Sequence, residues 1–169
     1  MAEATLAGRL LVATPLIGDG TFERTVILLL AHGTEGAFGV VLNRPSDTLA
    51  GELVPDWGER ATEPAVMFIG GPVGANGVLG LHPDGTVDLN ASPDDAIVDG
   101  EPLRLFAGSA GWGPGQLEGE IGEQAWWVVD ADPGDPFSTD PSNLWSAVLR
   151  RQPAPISWHA TYPPDPIVN

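Results

Sequence analysis

The sequence has no cysteine and no lysine. Without a thiol there is no cysteine nucleophile, no thiolate-bound zinc, no iron–sulfur cluster and no disulfide. Without lysine there is no Schiff-base chemistry, no pyridoxal phosphate anchor and no P-loop lysine. All seven basic residues are arginine, and they face 23 acidic ones, for a net charge of −16. A field of that sign repels phosphate backbones and anionic membrane surfaces, so direct nucleic-acid binding and membrane binding are both disfavoured. Long apolar runs are missing too. Met1–Ala7 carries no positive lead-in, and the apolar run Val26–Ala31 is only six residues long. A secretory signal needs a longer run, and a membrane span needs about 20 residues. These features read as a cytoplasmic protein.

What remains is a chain of 169 residues, 43% hydrophobic, which suits one domain with a real core. Its 22 Gly and 17 Pro make nearly a quarter of the chain, which excludes a long-helix bundle or coiled coil. The pattern is one of short elements. Strands are expected at Arg9–Thr14, Arg24–His32, Ala37–Leu42, Ala65–Ile69, Gly77–His82, Thr86–Leu89, Leu103–Ala107 and Ala125–Val129. The near-continuous apolarity of Arg24–His32 suggests cover on both faces. Turns are expected at Gly18-Asp19-Gly20, at Gly33–Gly36 and at Pro83-Asp84-Gly85. A short helix capped by Ser46 or Asp47 is expected through Leu53, another over Pro114–Ile121, and a third from Asp140 or Ser142 through Arg150. Ser92–Gly100 reads as loop with a short element. The order mixes strands and helices without regular βαβ alternation, which gives an α+β fold with a largely antiparallel or mixed sheet. Residues 1–151 form the domain, and 152–169 a Pro-rich tail expected to be extended.

Gly108–Glu120 is the most unusual segment: a strand feeding a Gly-rich loop with Trp112 and Pro114, then a helix start. Such a loop could let an anion approach backbone N–H groups, or could serve only to make a tight turn under a packed Trp. Ser109 lacks the Gly two residues earlier that a nucleophile elbow requires. His32, His82 and His159 show no metal-ligand spacing, and the Asp130–Asp135 stretch has Pro and Gly at the wrong places for a calcium loop. The Arg150-Arg151 doublet suits a helix C-terminus. Asn43-Arg44-Pro45 and Gly70-Gly71-Pro72 read as turns that join a site only if they approach the Trp112 loop. No catalytic residue, metal ligand or cofactor is assigned.

Several segments in order carry a resemblance: Gly8–Pro15, Phe22–Val26, His32, Gly36-Ala37-Phe38-Gly39-Val40-Val41-Leu42-Asn43-Arg44-Pro45, Gly70-Gly71-Pro72-Val73, Gly111-Trp112-Gly113-Pro114-Gly115-Gln116-Leu117-Glu118 with Glu120-Ile121, Ala125-Trp126 and Leu144-Trp145. This series resembles the YqgE/AlgH family of bacterial proteins over about Gly8 to Leu149. Two departures are visible. Ser109 stands where the family usually has an aromatic residue, so a binding role for that aromatic is not carried over, and the segment around Ser92–Gly100 is short. The resemblance implies a single α+β domain with a split sheet flanked by short helices. It implies no established reaction and no catalytic residues.

Three functions follow. The leading one is a non-enzymatic binding or regulatory protein with an unknown protein or small-molecule partner, using Asn43, Arg44, Gly71, Gly111, Trp112, Gly113, Gln116 and Glu118. Six Trp support a contact surface if some, Trp112 and Trp158 above all, are exposed. The second is an enzyme on an uncharged or cationic small molecule, with His32, Arg44 and Glu118 around one cleft. The third is direct transcriptional regulation, which the net charge disfavours.

Overall fold

The computed structural model describes residues 5–17 and 22–161, with Ala75 and Asn76 described by their backbone. The Gly18-Asp19-Gly20 turn lies outside the described residues, as do residues 162–169 of the tail. Nine strands follow in chain order: β1 (Leu10–Ala13), β2 (Val26–Gly33), β3 (Gly36–Val41), β4 (Pro45–Leu49), β5 (Val66–Ile69), β6 (Val73–His82), β7 (Gly85–Val87), β8 (Arg104–Trp112) and β9 (Trp126–Val129). Five short helices accompany them: α1 (Ala50–Leu53), α2 (Pro55–Gly58), α3 (Pro93–Ala96), α4 (Gln116–Gly122) and α5 (Leu144–Arg150).

The strands lie in the order β4-β5-β8-β3-β2-β1-β9, with β6 also on β8 and β7 on β6. Only β5–β8 is parallel; the other pairs are antiparallel. The mixed, split sheet expected from the sequence is therefore what forms. The split has a definite cause. The first half of β8 pairs with β5 and β6, through Phe106 with Phe68 and with Leu79. Its last three residues pair with β3 instead, Gly111 with Phe38 and Trp112 with Ala37. At the crossing, Gly70 and Gly71 lie directly on the β8 backbone. A Cβ on Gly70 would stand 2.4 Å from the carbonyl oxygen of Gly108, and one on Gly71 2.2 Å from that of Ser109. The Gly-Gly-Pro turn is there because no side chain fits.

One face of β1–β3 packs on α5, through Leu10, Val12, Val26 and Val40 against Leu144, Trp145, Val148 and Leu149. The other packs Leu11, Ile27, Leu29 and Val41 beneath Leu117 of α4, with Trp112 and Trp126. The first half of β2 is thus covered on both faces, as its unbroken apolarity required. A third cluster sits under α1–α3, where Trp57, Met67, Ile97, Leu103 and Leu105 meet.

Several local expectations are corrected. Gly108–Trp112 is not loop; it is the second half of β8. Ser46 and Asp47 cap nothing, because they belong to β4, and α1 starts at Ala50 without a side-chain cap. The helix expected from Pro114 begins at Gln116, after Gly115 takes a left-handed conformation at φ 75°. The helix expected from Asp140 or Ser142 begins at Leu144, after a 3-10 turn over Pro141–Asn143. The segment expected to be extended after Arg151 makes a 3-10 helix over Ile156–Thr161, with Ala160 buried in the α5 cluster.

Two arginines hold the loops. Arg104 is fully buried and forms no ion pair among the described residues. Its guanidinium donates to the carbonyls of Thr62, Pro64, Pro136 and Ser138 at 2.7–3.2 Å and stacks 4.2 Å over the Phe68 ring. Burial lowers its pKa from the usual arginine range to about 10, so the charge and its desolvation cost are fully present at neutral pH. That cost would be relieved only as pH rose through the lowered value; the carbonyl bonds offset it below. Arg151 instead grips buried Asp135 with two bonds of 2.8 Å, and this bond raises the Arg151 pKa. On the arginine side this contribution is lost only as pH rises through the raised value.

Replacing Arg104 by Met strands several buried carbonyls and will cost at least about 3 kcal/mol, read as a lower urea midpoint at unchanged m-value. Arg151→Ala leaves Asp135 buried and unpaired, and will cost roughly 3 kcal/mol in the same measurement.

Candidate functional site

The end of β8, the three-residue loop after it and α4 form one hydrogen-bonded unit. The carboxylate of Glu120, one helical turn after Gln116, is its centre. Its Oε1 accepts both indole N–H groups, from Trp112 and from Trp126, each at 3.0 Å. Its Oε2 accepts the side-chain N–H of Gln116 at 3.0 Å, and the other end of that amide accepts the backbone N–H of Gly113 at 3.0 Å. The two indoles meet edge to face, with centroids 6.1 Å apart. The long Trp-Gly-Pro-Gly-Gln motif is therefore first a device for docking α4 on the sheet. Trp112 is only 7% exposed; it is a wall, not a free anchor. Sequence reasoning named Gln116 and Glu118 and passed over Glu120, although its i, i+4 spacing from Gln116 is visible in the sequence.

Glu118 turns the other way and reaches β2. Its Oε2 lies 3.2 Å from Nε2 of His32. The backbone N–H of Leu6 donates to Nδ1 of the same ring at 3.0 Å. That bond keeps the lone pair on Nδ1, so the proton sits on Nε2 and is donated to Glu118. Beside this pair a shallow depression of about 450 Å³ opens between the β2–β3 hairpin and the end of β8. It is lined by residues 31–38 and Trp112, with Glu35 and half-exposed Phe38 among them.

The other residues named from the sequence fall into two groups. Gly111 and Gly113 flank Trp112 at this end of the sheet. Gly71 lies against Ser109 and Ala110, so this turn does approach the β8 end. Asn43 does not. It accepts from the backbone N–H of Val26 at 3.0 Å and donates to the carbonyl of Arg24 at 2.8 Å, fixing the left-handed Arg24 (φ 55°) ahead of β2. Arg44 follows it, and its guanidinium donates to the carbonyl of Glu23 at 3.3 Å. Ala37 faces Trp112, whereas the Arg44 carbonyl accepts from Ile69, which pairs with Ala107, five residues earlier on β8 and so about 16 Å back along the strand. His32 and Glu118 come together, but Arg44 does not join them, and no three-residue acid–base cleft forms.

The motif residues, their order along β8 and α4, and the split sheet identify the fold family. The AlgH-like family model (DUF179) matches residues 10–157. The chain belongs to this family. AlgH-like relatives include the UPF0301 protein of Streptomyces coelicolor, 47% identical over 98% of this chain and 96% of its own length. The UPF0301 protein of Thermobifida fusca is 42% identical over 100% of this chain and 98% of its own. Among solved structures, a Corynebacterium diphtheriae protein superposes with a TM-score of 0.87 at 32% identity, covering 96% of this chain and 95% of that one. The AlgH protein of Pseudomonas aeruginosa, solved in solution, superposes at 0.67 with 29% identity, covering 96% and 97%.

Removing the Glu120 carboxylate by substitution with Ala leaves two indole N–H groups without their acceptor. The loss will be about 2–4 kcal/mol, seen as a lower melting temperature together with a shift in Trp emission. Glu120→Gln keeps one acceptor oxygen and will lose less.

Proposed function

We propose that this AlgH-like protein is a non-enzymatic binding protein, and that its contact site is the depression beside His32. The observation that carries the reading is the His32–Glu118 pair at its edge. Both ring nitrogens are already engaged, so the imidazole is a fixed element of the surface rather than a base free to take a proton from substrate. The shape also suits binding: Trp112 supplies a rigid apolar wall, Phe38 a half-exposed ring, and Glu35 and Glu118 supply negative charge. A cationic group, such as an amine or the guanidinium of a basic peptide, matches that surface, and the net charge of −16 would steer it in.

Most of the arginines are engaged within the fold, which lends no support to recognition of polynucleotides. Arg9 pairs with Asp130, Arg60 with Asp94 and Arg151 with Asp132 and Asp135, while Arg104 is buried. Arg24 stacks on Trp145 with its centre 4.1 Å from the ring. Among the described residues, no helix is long and apolar enough to cross a membrane.

The test is a titration of isotope-labelled protein with a short arginine-rich peptide, followed by amide and indole shifts. Shifts should concentrate on residues 31–38, Glu118 and the Trp112 indole. Glu118→Gln should weaken binding by roughly fivefold, the size of one partly exposed charge contact. Shifts spread evenly over the acidic surface, or insensitive to Glu118→Gln and Phe38→Ala, would sink the reading.

A further inference from the structure

At the far end of β6 the fold brings Glu101 to two side chains of one turn, His82 and Asp84. His82 ends the strand, Asp84 stands in the two-residue turn to β7, and Glu101 comes from the segment ahead of β8. One ligand-type atom from each lies within 4.8 Å of the others. We propose that His82, Asp84 and Glu101 bind a divalent transition-metal ion of the zinc class.

The first support is spacing. Nitrogen and carboxylate oxygen bind zinc at about 2.0–2.2 Å, so neighbours in a tetrahedral shell stand roughly 3.3–3.6 Å apart. Nδ1 of His82 and Oε2 of Glu101 are 3.3 Å apart. A simple hydrogen bond explains that pair, but not the arrival of a third donor. Asp84 is exposed and has no hydrogen bond or ion pair among the described residues. Its carboxylate needs to move by only about 1 Å to close the shell. That movement is one of side-chain rotation, because the turn that carries it is fixed by the pairing of His82 with Gly85.

The second support is how the donors are held. The side chains of His82 and Glu101 are only 13% and 16% exposed. The backbone N–H of Val98 donates to the same Oε2 of Glu101 at 3.0 Å, an outer contact of the kind that orients metal-bound carboxylates. The third support is access. His82 and Asp84 belong to the wall of a cavity of about 430 Å³ that also includes Leu30, Leu81, Ala131 and Phe137. Three protein donors leave a fourth position, and this mostly apolar cavity gives room for water or a small ligand there. One imidazole with two carboxylates is a mixed donor set. It favours zinc, manganese or iron(II) over calcium, which takes six to eight oxygens, and over magnesium, which keeps its own waters.

The experiment uses the full chain, stripped with chelator and dialysed. Zinc is titrated by calorimetry, and cobalt(II) is followed by visible absorption, which reports four-coordinate geometry. One saturable zinc per chain is expected, with cobalt bands of tetrahedral intensity that zinc displaces. Asp84→Asn, an exposed change that leaves packing intact, should weaken zinc by at least roughly tenfold, and His82→Ala by more. Circular dichroism melting shows that each variant is folded, and the His82 ring resonances report direct ligation independently of affinity. Three outcomes overturn the proposal. They are no zinc binding, weak multi-site binding matched by magnesium, or a tight site that Asp84→Asn and His82→Ala leave unchanged. None of these outcomes bears on the depression beside His32, which lies on other residues.

Discussion

Two sheets here share one strand, and a shared strand can be approached by more neighbours than an ordinary one only if some of them have no side chains. β8 has β5 and β6 along its first half and β3 along its second. Where they change over, the Gly70-Gly71 backbone sits almost on the carbonyls of Gly108 and Ser109. The rest of the architecture follows from that crowded crossing. The second half of β8 is delivered to β3, Trp112 is placed at the end of the sheet, and the chain must turn at once into α4. The Glu120 carboxylate then ties α4 back to the two indoles. The motif that looks most like a binding loop in the sequence is mainly the joint of this arrangement.

The strand pattern was largely legible because short apolar runs between Gly and Pro have few alternatives. Both-faced burial of β2 could be read from Arg24–His32 alone. What could not be read was where a strand stops when its last residues are Gly, Ser and Ala. The segment Gly108–Trp112 has loop composition, yet β3 and Gly71 supply its partners from far along the chain. Helix starts failed for a related reason. Ser46 and Asp47 have the right chemistry for a cap, but they lie within edge strand β4, between its two pairs with β5 at Pro45 and Leu49, and the helix starts only at Ala50.

Site residues divided along the same line. Gly111, Trp112, Gly113, Gln116 and Glu118 are neighbours in sequence and remain neighbours in space. Asn43 and Arg44 belong to the same recognisable series, but the length of β3 carries them to the opposite end. Asn43 instead serves the backbone of Arg24 and Val26. Arg104 was invisible as anything but one charge within an apolar strand, and only the folded loops around Thr62–Pro64 and Pro136–Ser138 give it a task.

That arginine has a further consequence. Its acceptors are peptide oxygens, which do not titrate, so acid has nothing to neutralise at this joint. The clamp between Arg151 and Asp135 is different, since its acceptor is a charged carboxylate. A chain with more than three acids for every base thus fastens one of its inner seams through uncharged acceptors that falling pH leaves as they are.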